Sequence, residues 1–444
     1  MQKSKLNQFI KSPKKALVTL SIPVIVAALV ETLYTIVDAI FVGRLGAGAL
    51  AAITFAWPFF FILVAISLGI NAGIGSRISR FLGEKNKKQA ENTAIHGLLI
   101  ALIVSLLIAG ISIPLLNYLF SLTGASGDVL QMAKDYMFII LLGVVFMFLS
   151  YAVNSIFSAQ GDTKTAMKID VYSLILNIIL APIFIFLFKL GIKGAALATS
   201  VSVLFAFIQS LYYLRKVSYL NLKLRSFKFS LDIIKEIISV GFPSTIMMLI
   251  VSFYVIFLNK AMVHYSVSHV AAFGIVSRLE SIATLPIYGL SVGAMTLAGM
   301  FYGAKKYRLL EKISWYAIKI SAVVTSIIGI IFFAIPDTLL RVFTSDVNVI
   351  NIGIPYTRLD VFTFPLMAIT MIISRIMQGL GYGFPGLMIN LIRVLLVAVP
   401  LAYVFVFVLG YGYLSIAVAM ILGGIIATVV GIYLLARTLK GCQF

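Results

Sequence analysis

The chain reads as an all-α membrane protein of about twelve transmembrane helices, in two six-helix lobes related by a pseudo-twofold axis along the membrane normal. Three observations predict this. Of the 444 residues, 61% are apolar and only 11% charged, and the mean hydropathy is +1.09, far from the composition of soluble domains. The apolar residues gather in stretches at or above the roughly 20 residues that a bilayer crossing needs. The second half of the chain also repeats the first.

The spans are expected near 16–42, 48–79, 91–116, 128–156, 164–188 and 192–214, then 235–263, 268–300, 309–335, 347–377, 384–409 and 413–436. The first follows the basic run KSPKK and contains Pro23, which removes a backbone hydrogen bond and can bend it. The charged GEKNKK closes the second, and the polar stretch before Asp128 separates the third from the fourth. QGDTK and KLGIKG bracket the fifth, and the basic segment from Arg215 to Lys235 follows the sixth. HYSVSH, YGAKKYR, the segment from Pro336 to Asn348, GLGYGFP and GYGY punctuate the second half in the same way. Several spans exceed 25 residues, which permits tilt or bending without fixing an angle.

Placing residue n over n+220 aligns Pro23 with Pro243, Gly69 and Gly73 with Gly289 and Gly293, and Phe81, Gly83, Lys85 and Glu91 with Phe301, Gly303, Lys305 and Glu311. Further on, Gln160-Gly161 matches Gln378-Gly379 and Pro182 matches Pro400 at an offset of 218. The expected organisation is a first lobe over 1–217, a linker over 218–234 and a second lobe over 235–444.

Lys and Arg collect in cytoplasmic loops. Lys11, Lys14, Lys15, Arg77, Arg80, Lys85, Arg215, Lys216, Lys305 and Lys306 fall on one side, while Arg44, Lys189, Lys193 and Arg341 fall opposite. Both termini are therefore expected to be cytoplasmic, in a multi-pass protein of the cell membrane. The net charge of +20 is spread over short loops, which suits this topology and anionic lipid headgroups rather than nucleic acid. The single cysteine, Cys442, excludes an intrachain disulfide. No HExxH spacing, Walker loop, nucleophile elbow or dinucleotide fingerprint occurs, so neither a zinc site nor an enzyme is expected. No cofactor is expected beyond a coupling ion, a proton or sodium.

Glu31 and Asp38 lie seven residues apart in an otherwise uncharged span. Charge at membrane depth costs roughly 2.5–3.5 kcal/mol per residue on insertion scales, so it persists where it serves a cavity or a partner. Residues 31, 34, 35 and 38 share one helix side, which makes Glu31, Tyr34, Thr35 and Asp38 a polar stripe. The other helices of this lobe offer Asn71, Asn154, Asp170, Tyr172, Asn177 and Thr199. The oxygens of Asp38, Asn177 and Thr199 are of the kind sodium binds, and the same carboxylates can instead exchange protons. At the repeat positions of Glu31 and Asp38 stand Val251 and Leu258, so coupling chemistry is assigned to the first lobe. Arg278 with Glu280, and Arg358 with Asp360, are i,i+2 pairs that do not face each other on a helix, so cross-helix partners are expected.

The runs IPVIVAALVETLYTIVDAIFVGRLGAGALAA and GSRISRFLGEKN, with AAFGIVSRLESIATLPIYGLSVGA and FYGAKK in the second half, resemble the multidrug and toxic compound extrusion (MATE) family, in its DinF-like prokaryotic branch. The resemblance covers almost the whole chain. It implies export of organic cations and amphipathic drugs, by a monomer, through antiport with protons or sodium and a V-shaped cleft between two lobes. It assigns cation coupling to Asp38 and matches Tyr34, Asn177, Thr199 and Asn154 to the surrounding polar site. The branch pattern N-x-x-L-D-P reads here Asn177-Ile178-Ile179-Leu180-Ala181-Pro182, so Ala181 stands where a carboxylate is expected. Either the chain has diverged, with Glu31 supplying the second acid, or an Asp has been replaced; sodium binding is weakened in both cases. Met300-Phe301 also departs from the branch's usual Gln-Asn. A different reading within the wider superfamily is a lipid or lipid-linked-oligosaccharide flippase, for which Lys260, Arg278, Arg358, Arg375 and Arg393 are the candidate phosphate contacts.

Overall fold

The structure is a computed structural model that describes residues 5–121, 126–223, 225 and 227–442, the side chains of Thr35, Ile36 and Ala39 excepted. The described residues are nearly all helical and contain no strand. A short α1 (Leu6–Lys11) precedes α2 (Pro13–Gly43), α3 (Ala47–Gly83), α4 (Lys87–Ser121), α5 (Gly127–Ala159), α6 (Thr163–Pro182) and α7 (Ile192–Lys216). The second half comprises α8 (Leu231–Val263), α9 (Val267–Gly303), α10 (Tyr307–Ala334), α11 (Pro336–Arg341), α12 (Val347–Asp360), α13 (Thr363–Leu380), α14 (Gly383–Leu391), α15 (Val399–Tyr403) and α16 (Leu414–Gly441). Among the described residues, twelve helical stretches are long and apolar enough to cross a membrane. Their outward sides carry rows such as Leu99, Ile103, Leu107 and Ile111 of α4, all exposed, which only a lipid surround satisfies.

The tenth span differs from expectation: it is two helices, broken at Val361–Phe362 between α12 and α13. Pro365 explains the break, because its ring collides with the carbonyl four residues earlier, that of Val361. That carbonyl instead accepts from the Phe364 N–H at 3.3 Å. Proline also accompanies three π-helical turns, Ile183–Leu187 directly after Pro182, and Ile392–Ala398 and Val404–Val408 on either side of Pro400.

The repeat reappears in the hydrogen bonding. After α3, Asn86 N–H donates to Phe81 O; after α9, Lys306 N–H donates to Phe301 O, both at 2.9 Å. Lys85 and Lys305 hold the left-handed conformation these turns demand, at φ 58° and 55°. Gly161 and Gly381 occupy the corresponding later turns, and Phe188 and Leu409 close π turns onto Ile183 and Val404. These matches keep the offset at 220 and then 221, which corrects the pairing of Gln160-Gly161 with Gln378-Gly379 at 218. Composition alone drew those residues together; the left-handed glycine marks the true register. Because a left-handed residue with a Cβ is strained by roughly 1–2 kcal/mol, and glycine's backbone entropy offsets part of that, Lys85→Gly and Lys305→Gly are each expected to raise stability by up to about 1 kcal/mol. A thermal-unfolding midpoint that falls in both variants would contradict this.

The chain forms two compact units. The first holds Ile22–Phe242 with the residues up to Leu6, the second Asn7–Ser21 with Pro243–Phe444. The first unit thus contains the opening turns of α8, and the second contains those of α2. In the first, a Cβ added at Gly73 would stand 2.2 Å from the Ile237 carbonyl oxygen. In the second, a Cβ at Gly293 would stand 3.2 Å from the Leu17 carbonyl oxygen. Gly73 and Gly293, and Leu17 and Ile237, are repeat mates, so each unit builds the same close helix contact with an opening turn drawn from the other half's sequence.

Within the first unit, Val153, Phe157, Ala166, Ile169 and Ala206 form an apolar core. The segment after α7 is tied down along its length: Gln160 Oε1 accepts from Tyr219 N–H at 2.8 Å and Glu91 Oε1 from Asn221 N–H at 2.7 Å. Asn92 pairs with both backbone groups of Lys228, and His96 Nε2 accepts from Ser230 N–H at 3.0 Å. Glu236 at the start of α8 binds Arg77 and Arg80 of α3, each at 2.9 Å. The second unit's core runs from Leu258 and Phe273 through Tyr356 and Phe364 to Ile416.

Candidate functional site

Three helices of the first unit meet at a polar centre. Thr199 of α7 is its hub: its hydroxyl lies 3.4 Å from the Tyr34 hydroxyl of α2, accepts from Asn177 Nδ2 of α6 at 3.3 Å, and donates to the Ala195 carbonyl at 3.2 Å. Its one proton is committed to Ala195, so Tyr34 is the donor to it. Helical periodicity puts 177 and 181 on one side of α6 and 34 and 38 on one side of α2, and the packing of α2, α6 and α7 brings those sides together.

Asp38 stands one turn beyond Tyr34. Its carboxylate oxygen Oδ1 is buried and has no hydrogen-bond partner, and the same holds for Asn177 Oδ1. Buried polar atoms are almost always paired, so these two unpaired acceptors set this part of the interior apart. Tyr136 of α5 lies within electrostatic reach of both Asp38 and Tyr34. Sequence reasoning missed Tyr136, because one tyrosine in a long apolar helix carries no signal of its own. Ala181, one turn after Asn177, is only 1% exposed, so the place of the expected carboxylate is a small apolar surface beside the centre.

A second group forms next to it. Asn154 Nδ2 of α5 donates to Asp170 Oδ1 of α6 at 2.6 Å, and Glu31 lies within electrostatic reach of Asp170. Asn154, expected beside Asp38, is thus tied to Asp170. Asn71 of α3 accepts from Ser155 through its carbonyl at 2.7 Å, while its side-chain oxygen is buried and unpaired. Tyr172 is 46% exposed; Thr35 lies outside the described side chains.

The second unit has a different polar interior. Leu258 and Val251 occupy the positions of Asp38 and Glu31, with Leu258 packed in the apolar core. Arg278 and Arg358 are exposed, Arg358 lying 5.7 Å from the Phe333 ring centre. Arg393 lies within electrostatic reach of Glu280 and donates to Asn390 at 3.2 Å. Asp360, 1% exposed, lies within electrostatic reach of Glu280 and has a carboxylate oxygen without a partner. The Thr363 hydroxyl donates to the Asp360 carbonyl at 2.7 Å. No group of three or more His, Cys, Asp or Glu side chains fit to hold a metal ion occurs among the described residues.

Against known proteins, the family model described as MatE matches twice, over residues 23–183 and 243–404, the two copies of the repeat. The multidrug export protein MepA of Staphylococcus aureus is 27% identical over 391 residues, covering 87% of this chain and 84% of its own. Among solved structures, an outward-facing multidrug resistance MATE family transporter of the MOP superfamily is 30% identical, with full coverage of both chains and a TM-score of 0.95. A MOP superfamily transporter from Pyrococcus furiosus matches at 29% identity, equal coverage and a TM-score of 0.95.

Proposed function

The chain belongs to the MatE family, and from that premise we propose that it exports organic cations and other amphipathic drugs across the cell membrane by antiport against protons or sodium. The observation that carries this reading is Asp38, an acid inside the bilayer with a buried, unpaired oxygen, one turn from the Tyr34–Thr199–Asn177 centre. In the proposed cycle a cation or proton taken up at Asp38 alters α2 and favours release of the drug outside, and its loss inside resets the carrier by alternating access between two lobes. The proton is favoured as coupling ion, since Ala181 withholds one anionic ligand from sodium. One proton moving down one pH unit supplies about 1.4 kcal/mol, and 100 mV adds about 2.3 kcal/mol per charge. Both termini face the cytoplasm, and a single copy of the chain is the working unit, in contact with anionic lipid.

The reading is tested by loading proteoliposomes with a fluorescent cationic dye and imposing proton and sodium gradients separately. Dye movement driven by one gradient alone names the ion; no movement under either overturns antiport. Thr199→Val deletes the acceptor shared by Tyr34 and Asn177 and strands both. At roughly 1–3 kcal/mol for a buried group left unpaired, it is expected to slow gradient-driven export about tenfold, at unchanged expression. Full activity in Thr199→Val would remove this centre from the mechanism.

A further inference from the structure

The two halves of the chain enter their units differently. The linker before α8 is held along its length by Gln160, Glu91, Asn92 and His96. The segment before α2 is fastened at its start by Lys5, whose Nζ donates to the Gly161 carbonyl at 3.1 Å and lies 3.6 Å from Asp162 Oδ1. The Thr165 hydroxyl donates to the other oxygen of Asp162 at 2.8 Å, which steadies that carboxylate on the α5–α6 turn. Farther along, Lys14 Nζ lies 4.8 Å from the ring centre of Tyr316 in α10.

Lys5, Gly161 and Asp162 belong to the first unit, Lys14 and Tyr316 to the second. Between the two lysines stand only residues 6–13, most of them in α1, with Leu6 2% and Phe9 4% exposed. With α1 helical, the Cα atoms of Lys5 and Lys14 can stand no more than about 20 Å apart. The segment is therefore a short strap, fastened to one unit at each end. Of its two ends, the Lys5 end is the one that can let go. An ion pair made by a lysine that is 29% exposed is a weak contact open to water, whereas Lys14 is built into the opening turn of the 31-residue α2. The repeat shows that the fold itself does not require this pair. Arg225 stands at the repeat position of Lys5 and Tyr382 at that of Asp162, so the matching turn offers no carboxylate.

We propose that residues 5–14 are a strap that regulates transport: Lys5 docked on the Gly161–Asp162 turn limits how far the start of α2 can move from that turn, and each transport cycle undocks it. The inference rests on the export reading, since only units that move against each other load a strap.

The test uses the full chain with Cys442→Ser, in which Lys5→Cys and Asp162→Cys are joined by a bis-methanethiosulfonate linker the length of a lysine side chain. Gradient-driven dye transport in proteoliposomes is measured before joining, after joining and after reduction. Joining is expected to slow transport at least tenfold, on the order of a blocked conformational step, and reduction to restore it. The joined pair with about eight Gly and Ser residues inserted after Lys11 is expected to transport normally, because the slack frees α2 while the link remains. Lys5→Gln, which undocks the strap without any cysteine, is expected to raise turnover about twofold. Undiminished transport in the joined chain would overturn the strap. So would a block that survives the insertion, which would trace the loss to a distorted turn, and so would a Lys5→Gln variant no faster than the wild type. Failure of the wild type to move dye under either gradient would instead strike the export reading, and the strap with it.

Discussion

Asp38→Asn is expected to abolish gradient-driven dye accumulation in proteoliposomes while leaving the protein folded and able to bind dye. The substitution keeps the shape of the side chain and its place one turn from Tyr34, but removes the one group of the centre that changes charge. Without that change an imposed gradient has nothing to act on. The roughly tenfold concentration ratio that one proton sustains per pH unit should then fall to none, so end-point accumulation is a sharper readout than rate. Accumulation that persists in Asp38→Asn would remove Asp38 from coupling and turn attention to Glu31 and Asp170, the neighbouring pair of acids. The complementary variant is Ala181→Asp. Residue 181 is buried beside Asn177, so a carboxylate there adds an anionic oxygen ligand to the centre. Export is expected to gain sodium dependence, which transport under a sodium gradient alone would reveal.

The second large effect concerns folding. Gly73→Val places a Cβ 2.2 Å from the carbonyl oxygen of Ile237 and 2.9 Å from its carbonyl carbon. Both obstacles are backbone, held in α8 by the neighbouring ion pairs of Glu236 with Arg77 and Arg80, so no side chain can swing aside. Ordinary overpacking costs about 1–3 kcal/mol, and a collision of this depth lies beyond that. Against a total stability of roughly 5–15 kcal/mol, little folded protein is expected. Gly110→Ala is the control: a Cβ there meets nothing within 4 Å, and inside a helix alanine gains up to about 1 kcal/mol over glycine. Size-exclusion profiles in detergent that are alike for both variants would contradict the close contact at Gly73.

Much of this was legible in the sequence, for identifiable reasons. The spans stood out because lipid demands long apolar stretches, and their ends because polar and charged residues cluster there. The break in the tenth span escaped notice although Pro365 was in view, since Val361 and Phe362 are as apolar as their neighbours. The π turns, a matter of hydrogen-bond partners rather than composition, were equally hidden. Helical periodicity sufficed to put Tyr34 and Asp38 on one side, whereas the meeting of Asn177, Thr199 and Tyr34 was reached only through resemblance. Tyr136 belonged to neither kind of signal. That Arg393 lies within electrostatic reach of Glu280 depended on packing that no local pattern encodes.

The borrowed opening turns of α2 and α8 bear on how the protein is made. Neither repeat is self-sufficient: a polypeptide ending in the segment after α7 would leave the notch at Gly73 empty, because Ile237, which fills it, belongs to the next repeat. On the ribosome the first unit therefore stays unfinished until Phe242 has been added. The start of α2 waits longer still, until α9 delivers Gly293.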